Sequence, residues 1–154
     1  MSKIISYRGQ LPIGVEERIK LSTIKGKVGY KITKFQVMSS TPGVGEVEYV
    51  AKIYSKSQSG SESTTVNFTE GDLLAALYYQ DNPAAAYPSA MDVIFDNAAT
   101  NQDIFIYIMD AEGGTIPANY YIELETMEIS DIESTMMTLK SLRNIASRWV
   151  SNII

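Results

Sequence analysis

The side chains that could do chemistry in this sequence are mainly carboxylates. The chain contains neither histidine nor cysteine, which excludes Ser-His-Asp triads, Cys-His pairs and zinc sites. A glycosidase-type pair would have to come from acids on strands or at their ends, namely Asp92, Asp96, Asp103 and Glu123. Their spacing favours no pair, and acids on outward strand faces usually serve solvation. We therefore expect that the protein is not an enzyme.

Two short acidic segments could offer oxygen ligands to a calcium ion. Asp110 and Glu112 precede Gly113-Gly114, and Asp96 adjoins Asn97. Neither segment matches an EF-hand loop, and aspartate and glycine are also common in β-turns. We expect no metal and no cofactor.

A group of tyrosines is the best candidate for ligand binding. Tyr78, Tyr79 and Tyr87 lie around Asp81-Asn82-Pro83, where aromatic rings could bind a sugar or a partner protein. Packing in the core or at its rim would explain these tyrosines equally well. We treat them as a possible ligand loop.

Charge and hydropathy exclude several classes of partner. The net charge of −5 argues against nucleic acid or an anionic membrane, because binding to either needs a concentrated basic surface. No segment approaches the roughly 18 apolar residues of a membrane span, and the first residues lack the apolar run of a signal peptide. We expect a protein that is made in the cytoplasm and stays out of membranes.

Alternation of apolar and polar residues predicts strands along most of the chain. The phase of the alternation changes near Thr33-Lys34, which indicates a β-bulge. The predicted strand Ile104–Met109 is apolar on both faces and is therefore expected to be central in its sheet. The predicted strands span Val15–Leu21, Val28–Val37, Val47–Tyr54, Val66–Phe68, Met91–Phe95, Ile104–Met109 and Tyr120–Glu125.

Glycine, proline and serine mark the connections between strands. Pro42-Gly43 suits the centre of a type II turn, and a hairpin is expected there. Asp110–Gly114 is predicted to be a turn. Ser55–Ser63 has no apolar residue and is predicted to be a mobile loop that is too polar to pack.

Two helices are predicted. Thr69 can cap a short helix with Asp72 three residues later, and Leu73, Leu74, Leu77 and Tyr78 follow at helical spacing. A capping box from Ser130 to Glu133 starts a C-terminal amphipathic helix. That helix either docks on its own domain or packs against the same helix of a neighbouring subunit. Its predicted interface residues are Leu139, Leu142, Arg143, Ala146, Arg148, Trp149 and Ile153.

These elements predict a mainly β fold. About eight short strands without regular βα alternation are typical of an antiparallel β-sandwich or jelly roll, here with one short helix and the C-terminal helix. The chain length of 154 residues suits one domain. Residues 1–130 are expected to form the β-sandwich domain, and residues 131–154 a docking or assembly element.

Three segments carry a resemblance to a known class of proteins. Residues 96–108, Asn119–Glu125 and Ser130–Glu133 resemble segments of small virion proteins of tailed phages from aquatic metagenomes, and the resemblance covers residues 10–148. It implies a capsid-associated β-sandwich or jelly roll, such as a decoration or cement subunit, and it assigns no site residues.

Two functions follow as hypotheses. The first is a structural protein of a virus particle, located in the virion, which binds copies of itself and other virion proteins such as a major capsid protein. The second is a carbohydrate- or receptor-binding module that uses the loop near Tyr78 and Tyr87.

Overall fold

Eight β-strands make up the regular secondary structure of the described part of the chain. The computed structural model describes residues 3–22, 27–82, 89–95 and 100–130. The strands are β1 (Lys3–Leu11), β2 (Glu17–Ile19), β3 (Val28–Ser39), β4 (Val47–Tyr54), β5 (Leu73–Asp81), β6 (Ser89–Ile94), β7 (Ile104–Asp110) and β8 (Ala118–Glu128). The prediction of a mainly β fold is confirmed for these residues.

The strands form two antiparallel sheets. The small sheet has the order β1-β8-β3, and the large sheet has the order β2-β7-β4-β5-β6. The paired strands run antiparallel throughout. Many neighbours are far apart in sequence, so most of the pairing depends on long-range contacts.

One hydrophobic core joins the two sheets. Strand β4 contributes Val47, Tyr49, Ala51 and Ile53, and β8 contributes Ile122 from the other sheet. Because successive side chains of a strand point to opposite faces, every second residue faces this core. The core-facing side of each sheet is called its inner face below, and the opposite side its outer face.

Strand β3 carries the bulge that its sequence pattern predicts. Its inner-face residues are even-numbered up to Ile32 and odd-numbered from Phe35 onward. The register against β8 shifts between Ile32 and Lys34. The additional residue lets both apolar runs face the core, and the predicted bulge is confirmed.

The turn at Pro42-Gly43 forms as predicted, but it does not close a hairpin. The Val44 amide donates to the Thr41 carbonyl at 3.2 Å, and Gly43 has a φ of 80°, as the third residue of a type II turn requires. However, β3 lies in the small sheet and β4 in the large one. The hairpin prediction was wrong because turn chemistry does not decide which strands pair.

The segment predicted as a short helix is strand β5. Leu73, Leu74, Leu77 and Tyr78 lie in a strand that pairs with β4 on one edge and with β6 on the other. The predicted cap, Thr69, lies in a turn before it. Both faces at the start of β5 are buried, so apolar residues occupy consecutive positions there. A run of consecutive apolar residues also contains the three- and four-residue spacing that is typical of a helix. The helix prediction was wrong for this reason.

The segment from Ser55 to Asp72 covers part of the outer face of the large sheet. Lys52 lies beneath it and is 1% exposed. Its ammonium group donates to the Thr65 carbonyl and lies 5.2 Å from the ring centroid of Tyr107 and 5.8 Å from that of Tyr54. The carbonyl and the two rings replace part of the hydration that the cation loses on burial.

Hydrogen bonds hold the serine-rich part of this covering segment. The amide of Gln58 donates to Glu16 Oε1 at 2.8 Å, and its side-chain amide donates to Asp72 Oδ2 at 3.3 Å. Gln58 is buried. The expectation that Ser55–Ser63 is too polar to pack was wrong, because its polar groups are paired with the domain beneath.

Two strand predictions differ from the structure, and one strand besides β5 was not predicted. The predicted strand Val15–Leu21 is reduced to Glu17–Ile19, and Val66–Phe68 forms no strand. Strand β1 was not predicted. It lies at a sheet edge, where Ile5 and Tyr7 are only partly buried, so its alternation in the sequence is weak.

The C-terminal helix, residues 131–154, lies outside the described residues, and so does the division of the chain after residue 130. Within the four described ranges, no helix has the length and apolar character needed to cross a membrane.

Candidate functional site

Asp103, one of the acids considered for catalysis, is an anchor for the backbone. Its Oδ1 accepts hydrogen bonds from the amides of Leu21 and Ser22, both at 2.8 Å, and its Oδ2 accepts one from Arg18 Nε at 2.6 Å. Burial by itself would raise the pKa of Asp103, but these hydrogen bonds outweigh burial and lower the pKa to about 2. Asp103 therefore stays ionised and fixes the chain after β2.

Two other acidic candidates lie on opposite sides of their sheets. Asp92 is on the inner face of β6, and Glu123 is on the outer face of β8. Glu123 accepts a hydrogen bond from the Tyr121 hydroxyl at 2.7 Å and lies 4.0 Å from the Lys34 ammonium group. Asp96 lies outside the described residues. Asp92 and Glu123 therefore do not form a glycosidase-type pair.

The acidic turn after β7 binds its own backbone. Asp110 Oδ1 accepts hydrogen bonds from the amides of Glu48, at 3.2 Å, and Glu112, at 2.9 Å. The Gly113 amide donates to the Asp110 carbonyl at 3.0 Å, which closes the predicted turn. The described residues contain no group of three or more side chains suited to hold a metal ion. The second calcium candidate, Asp96-Asn97, lies outside them.

A cleft of about 450 Å³ lies between the inner faces of the two sheets, next to β3. Phe35, Val37 and Tyr120 line it from the small sheet, and Leu77 and Tyr79 line it from the large sheet. The large sheet has five strands and the small sheet three. The cleft lies between β3, at one edge of the small sheet, and β6, at one edge of the large sheet.

Strand β6 forms the mouth of the cleft. Ala90 and Asp92 pair with Tyr79 and Leu77, so they share the inner face with these two residues. Both Ala90 and Asp92 are exposed. A molecule entering the cleft would therefore meet apolar walls and the carboxylate of Asp92.

Two tyrosines that line the cleft, Tyr79 and Tyr120, are held in place by contacts with residues outside the cleft. The Tyr79 ring stacks on Tyr49 with 5.9 Å between centroids, and burial together with the charge of Asp81 raises the pKa of Tyr79. The Tyr120 hydroxyl donates to Glu17 Oε2 at 2.9 Å, and burial together with this carboxylate raises the pKa of Tyr120. Both hydroxyls therefore stay protonated at neutral pH. Because these contacts fix the two side chains, this side of the cleft is already formed without a ligand.

Among the described residues, few backbone groups pair with the edge of β3 next to the cleft. Strand β8 pairs with the other edge, and on the cleft side the structure places one isolated bridge between Tyr30 and Thr100. From Ile32 to Met38, no described strand pairs with this edge.

The predicted ligand residues do not form one surface. Tyr78 and Tyr79 are successive residues of β5, and so their side chains point to opposite faces of the large sheet. Tyr79 lines the cleft, whereas Tyr78 is half-buried on the outer face. Tyr87 lies outside the described residues, as do the predicted interface residues Leu139, Leu142, Arg143, Ala146, Arg148, Trp149 and Ile153.

Apart from Tyr79 and Asp92, which was considered only as a catalytic acid, the residues of the cleft were missed in the sequence. Phe35, Val37 and Leu77 have the pattern of ordinary core residues, and Asp92 has the pattern of a solvated strand residue. The cleft lies between strands that are distant in sequence, and no local motif signals that they come together.

Comparison with known proteins assigns no family, because no protein-family model and no curated protein matches the chain. The strand order, the exposed surfaces and the cleft are therefore the features that bear on function.

Proposed function

We propose that the protein is a non-enzymatic structural subunit of a virus particle, of the decoration or cement kind. In this role it acts through contacts with copies of itself and with other virion proteins, such as a major capsid protein. The observation that carries the proposal is the order of the strands, which is close to that of a jelly roll.

Six strand pairings are typical of an eight-stranded jelly roll. In an eight-stranded jelly roll, a long antiparallel ribbon pairs β1 with β8, β2 with β7, β3 with β6 and β4 with β5, and its wrapping places β8 beside β3 and β7 beside β4. Five of these six pairings are present here, and β6 pairs with β5 where the jelly roll would pair it with β3. Strand β6 nevertheless lies close to β3. Capsid and lectin domains commonly use this fold, in which the two sheets pack as a sandwich.

Exposed apolar side chains on edge strands support a role in protein contacts. Ile4 on β1 is 59% exposed, Met38 on β3 is 54% exposed, and Met91 on β6 is 67% exposed. Methionine is enriched in protein interfaces, and these side chains at sheet edges are accessible to a partner. We further propose that residues 131–154 form the amphipathic helix that the sequence predicts and add a second contact.

Immunogold electron microscopy tests the virion assignment. Particles would be purified from a culture that expresses the chain and treated with gold-labelled antibody against the recombinant protein. Gold on the surface of intact particles is the expected result. Antibody signal confined to the particle-free supernatant would contradict the assignment.

Light scattering coupled to size exclusion tests self-assembly through the C-terminal segment. The full-length chain is expected to be an oligomer, and a chain truncated after Glu133 is expected to be a monomer. A full-length monomer would remove self-assembly from the proposal and leave attachment to other virion proteins. An oligomer of unchanged mass after truncation would place the contact on the sheets.

A carbohydrate-binding module is the second candidate, and the outer face of the small sheet favours it. Tyr121 lies there between Arg8 and Gln36 of the neighbouring strands. In the next row, Gln10 donates to Asn119 at 3.1 Å. Aromatic, amide and guanidinium groups on one flat face suit a sugar, which offers both an apolar ring face and hydroxyls.

A glycan array with the full-length chain tests this second function. Saturable binding should be lost in Tyr121→Ala and kept in Tyr78→Ala, which changes a half-buried tyrosine on the other sheet. An array without a saturable signal would eliminate the carbohydrate function and leave the virion proposal unaffected.

A further inference from the structure

We propose that an apolar row on the outer face of the large sheet binds the C-terminal segment of a neighbouring copy of this chain. The apolar row consists of Met91, Tyr78, Val50 and Met109. Its occupant is the apolar side of the helix that the sequence predicts within residues 131–154. This inference rests on the proposed self-assembly through that segment, and it names the surface that the segment contacts.

The apolar row crosses four strands of the large sheet. Tyr78 of β5 pairs with Met91 of β6 on one side and with Val50 of β4 on the other. Val50 in turn pairs with Met109 of β7. Directly paired residues share one face of a sheet and have neighbouring side chains. Met91 is 67% exposed, Tyr78 and Met109 are half-buried, and Val50 is buried between them. The row is therefore a continuous strip that a partner can cover.

The segment from Ser55 to Asp72 borders the apolar row on one side. The next row of the same face contains Lys52 and Tyr107, which are each 1% exposed. Lys52 donates to the Thr65 carbonyl, and the Tyr107 hydroxyl accepts a hydrogen bond from the Ser63 amide at 3.3 Å. Because the segment lies over these two residues, it stands above the sheet beside the row and gives a bound chain a wall to pack against.

Acidic side chains border the apolar row on the other side. Glu48 precedes Val50 by two positions in β4 and therefore shares its face. Burial and the charges of Glu48 and Glu112 raise the pKa of Tyr78, so both carboxylates lie near the Tyr78 hydroxyl. A partner that covers the row must bring cations, or at least no acids, to this border.

The length of the predicted helix matches the length of the apolar row. Four strands are separated by three gaps of about 4.8 Å, so the row is about 14 Å long. Leu139 and Trp149, which with Leu142 and Ala146 form the predicted apolar side, lie ten residues apart. On a helix, ten residues correspond to about 15 Å. One such helix would therefore cover the row from β6 to β7.

The charge of the C-terminal segment complements the acidic border. Residues 134–154 contain Lys140, Arg143 and Arg148 and no aspartate or glutamate. Arg143 follows Leu142 directly, so on a helix it flanks the apolar side. A helix with its apolar side on the row can thus place Arg143 against Glu48 or Glu112. Such complementary charges across an interface fix the orientation of the partners.

The position at which β8 ends favours a neighbouring copy as the source of the segment. Tyr49 pairs with Asp110, and its hydroxyl donates to the Ile116 carbonyl at 2.7 Å, so β8 starts at the end of the sandwich where β7 stops. Met109 belongs to this end of the molecule. Strand β8 stops at Glu128, ten residues beyond its start, which is about 33 Å away.

The residues that follow β8 are too few to bring the predicted helix back to the row of the same chain. Ile129 is buried, and its amide donates to the Lys27 carbonyl at 2.9 Å, so the chain is held up to this residue. Residues 130–138 can span at most about 32 Å. The path would have to cover the length of the sandwich and also cross from the small sheet to the far side of the large sheet.

Cysteine crosslinking tests the contact in the full-length protein, which has no cysteine of its own. Chains with Met91→Cys and chains with Ala146→Cys would be co-expressed, purified together and treated with a short bismaleimide. Mass spectrometry should then find a peptide that joins positions 91 and 146, which in this mixture must come from two chains. Met38→Cys, co-expressed with Ala146→Cys, is the control and should not give such a product, because Met38 is 54% exposed but lies on the small sheet.

Charge variants test the same contact through the strength of self-association. Met91→Lys places a cation in the apolar row and should raise the dissociation constant of the oligomer at least about tenfold, measured by light scattering over a dilution series. Met38→Lys should leave it unchanged. Glu48→Arg should weaken the oligomer at least about tenfold, and Arg143→Glu in the same chain should restore most of the loss, because the exchanged charges attract again.

Circular dichroism confirms first that each variant is folded. Absence of the 91–146 product, or an equal yield with Met38→Cys, would overturn the proposal. A crosslink that forms only when one chain carries both cysteines would also overturn it, because the segment would then bind its own domain. Equal dissociation constants for Met91→Lys and Met38→Lys would have the same consequence. A monomeric full-length chain would overturn it together with self-assembly, whereas the gold labelling of particles decides the virion role separately.

Discussion

Replacing Asp103 by asparagine should lower the free energy of unfolding by about 2 kcal/mol at pH 7. Asp103 is 5% exposed, and its carboxylate accepts hydrogen bonds from two backbone amides and from Arg18. Its pKa falls from 3.8 to about 2 on folding. A tenfold change in proton affinity corresponds to about 1.4 kcal/mol, which gives the stated magnitude. Because the side chain of Arg18 is 62% exposed, loss of its partner adds little.

The pH dependence of this effect has a defined direction. The pKa of Asp103 is lower in the folded state, so its contribution to stability is complete above the unfolded value of 3.8 and is lost as the pH falls towards 2. The difference in unfolding free energy between wild type and Asp103→Asn should therefore shrink to about half by pH 3.

Urea unfolding followed by far-ultraviolet circular dichroism, at pH 7, 5 and 3, measures this difference. Asp92→Asn is the matched control, because it removes an exposed strand carboxylate and should change stability by less than about 0.5 kcal/mol. A loss below about 0.5 kcal/mol in Asp103→Asn at pH 7 would refute the anchoring role. A loss of equal size at pH 7 and pH 3 would show that it does not come from the charge.

Three further predictions follow from the packing. Lys52→Met keeps the apolar stem but removes the donor to the covering segment, so limited proteolysis within Ser55–Ser63 should become faster; an unchanged rate, equal to that of Lys31→Met, would contradict this anchoring. Gly9→Ala would place its Cβ 2.9 Å from a carbon of the Tyr120 ring and should cost about 1 to 3 kcal/mol in urea unfolding, and a cost near zero would show that this ring can move. Amide hydrogen exchange should be slowest in β4, which is paired on both edges and buried on both faces, and faster in β6; the reverse order would contradict the sheet order.

Local sequence signals predicted local structure well. The phase change near Thr33-Lys34 produced a bulge in β3, and Pro42-Gly43 produced a type II turn. In both cases the deciding interaction lies within a few residues, namely the side-chain alternation of one strand or the positive φ that Gly43 allows. Strand β4 was predicted for the same reason, because apolar residues occupy every second position from Val47 to Ile53.

Predictions of local structure failed where segments distant in sequence determine whether a residue is paired or buried. Residues 73–78 fit a helix by spacing, but β4 and β6 pair with both edges of this segment and make it a strand. Gln58 and its polar neighbours pack because Glu16 and Asp72 provide partners that are not visible in the local sequence. Strand β1 was missed because an edge strand buries too little of its surface to need a strong pattern.

The sequence alone therefore determined that this is a mainly β protein without histidine or cysteine chemistry, since composition and alternation act residue by residue. Only the tertiary structure decided which strands pair and that the connection at Pro42-Gly43 passes between sheets. It also decided that Tyr78 and Tyr79 face opposite ways and that a cleft opens beside β3. The physical reason is that sheet width and strand order arise from backbone pairing between distant segments. Side-chain patterns specify that pairing only weakly.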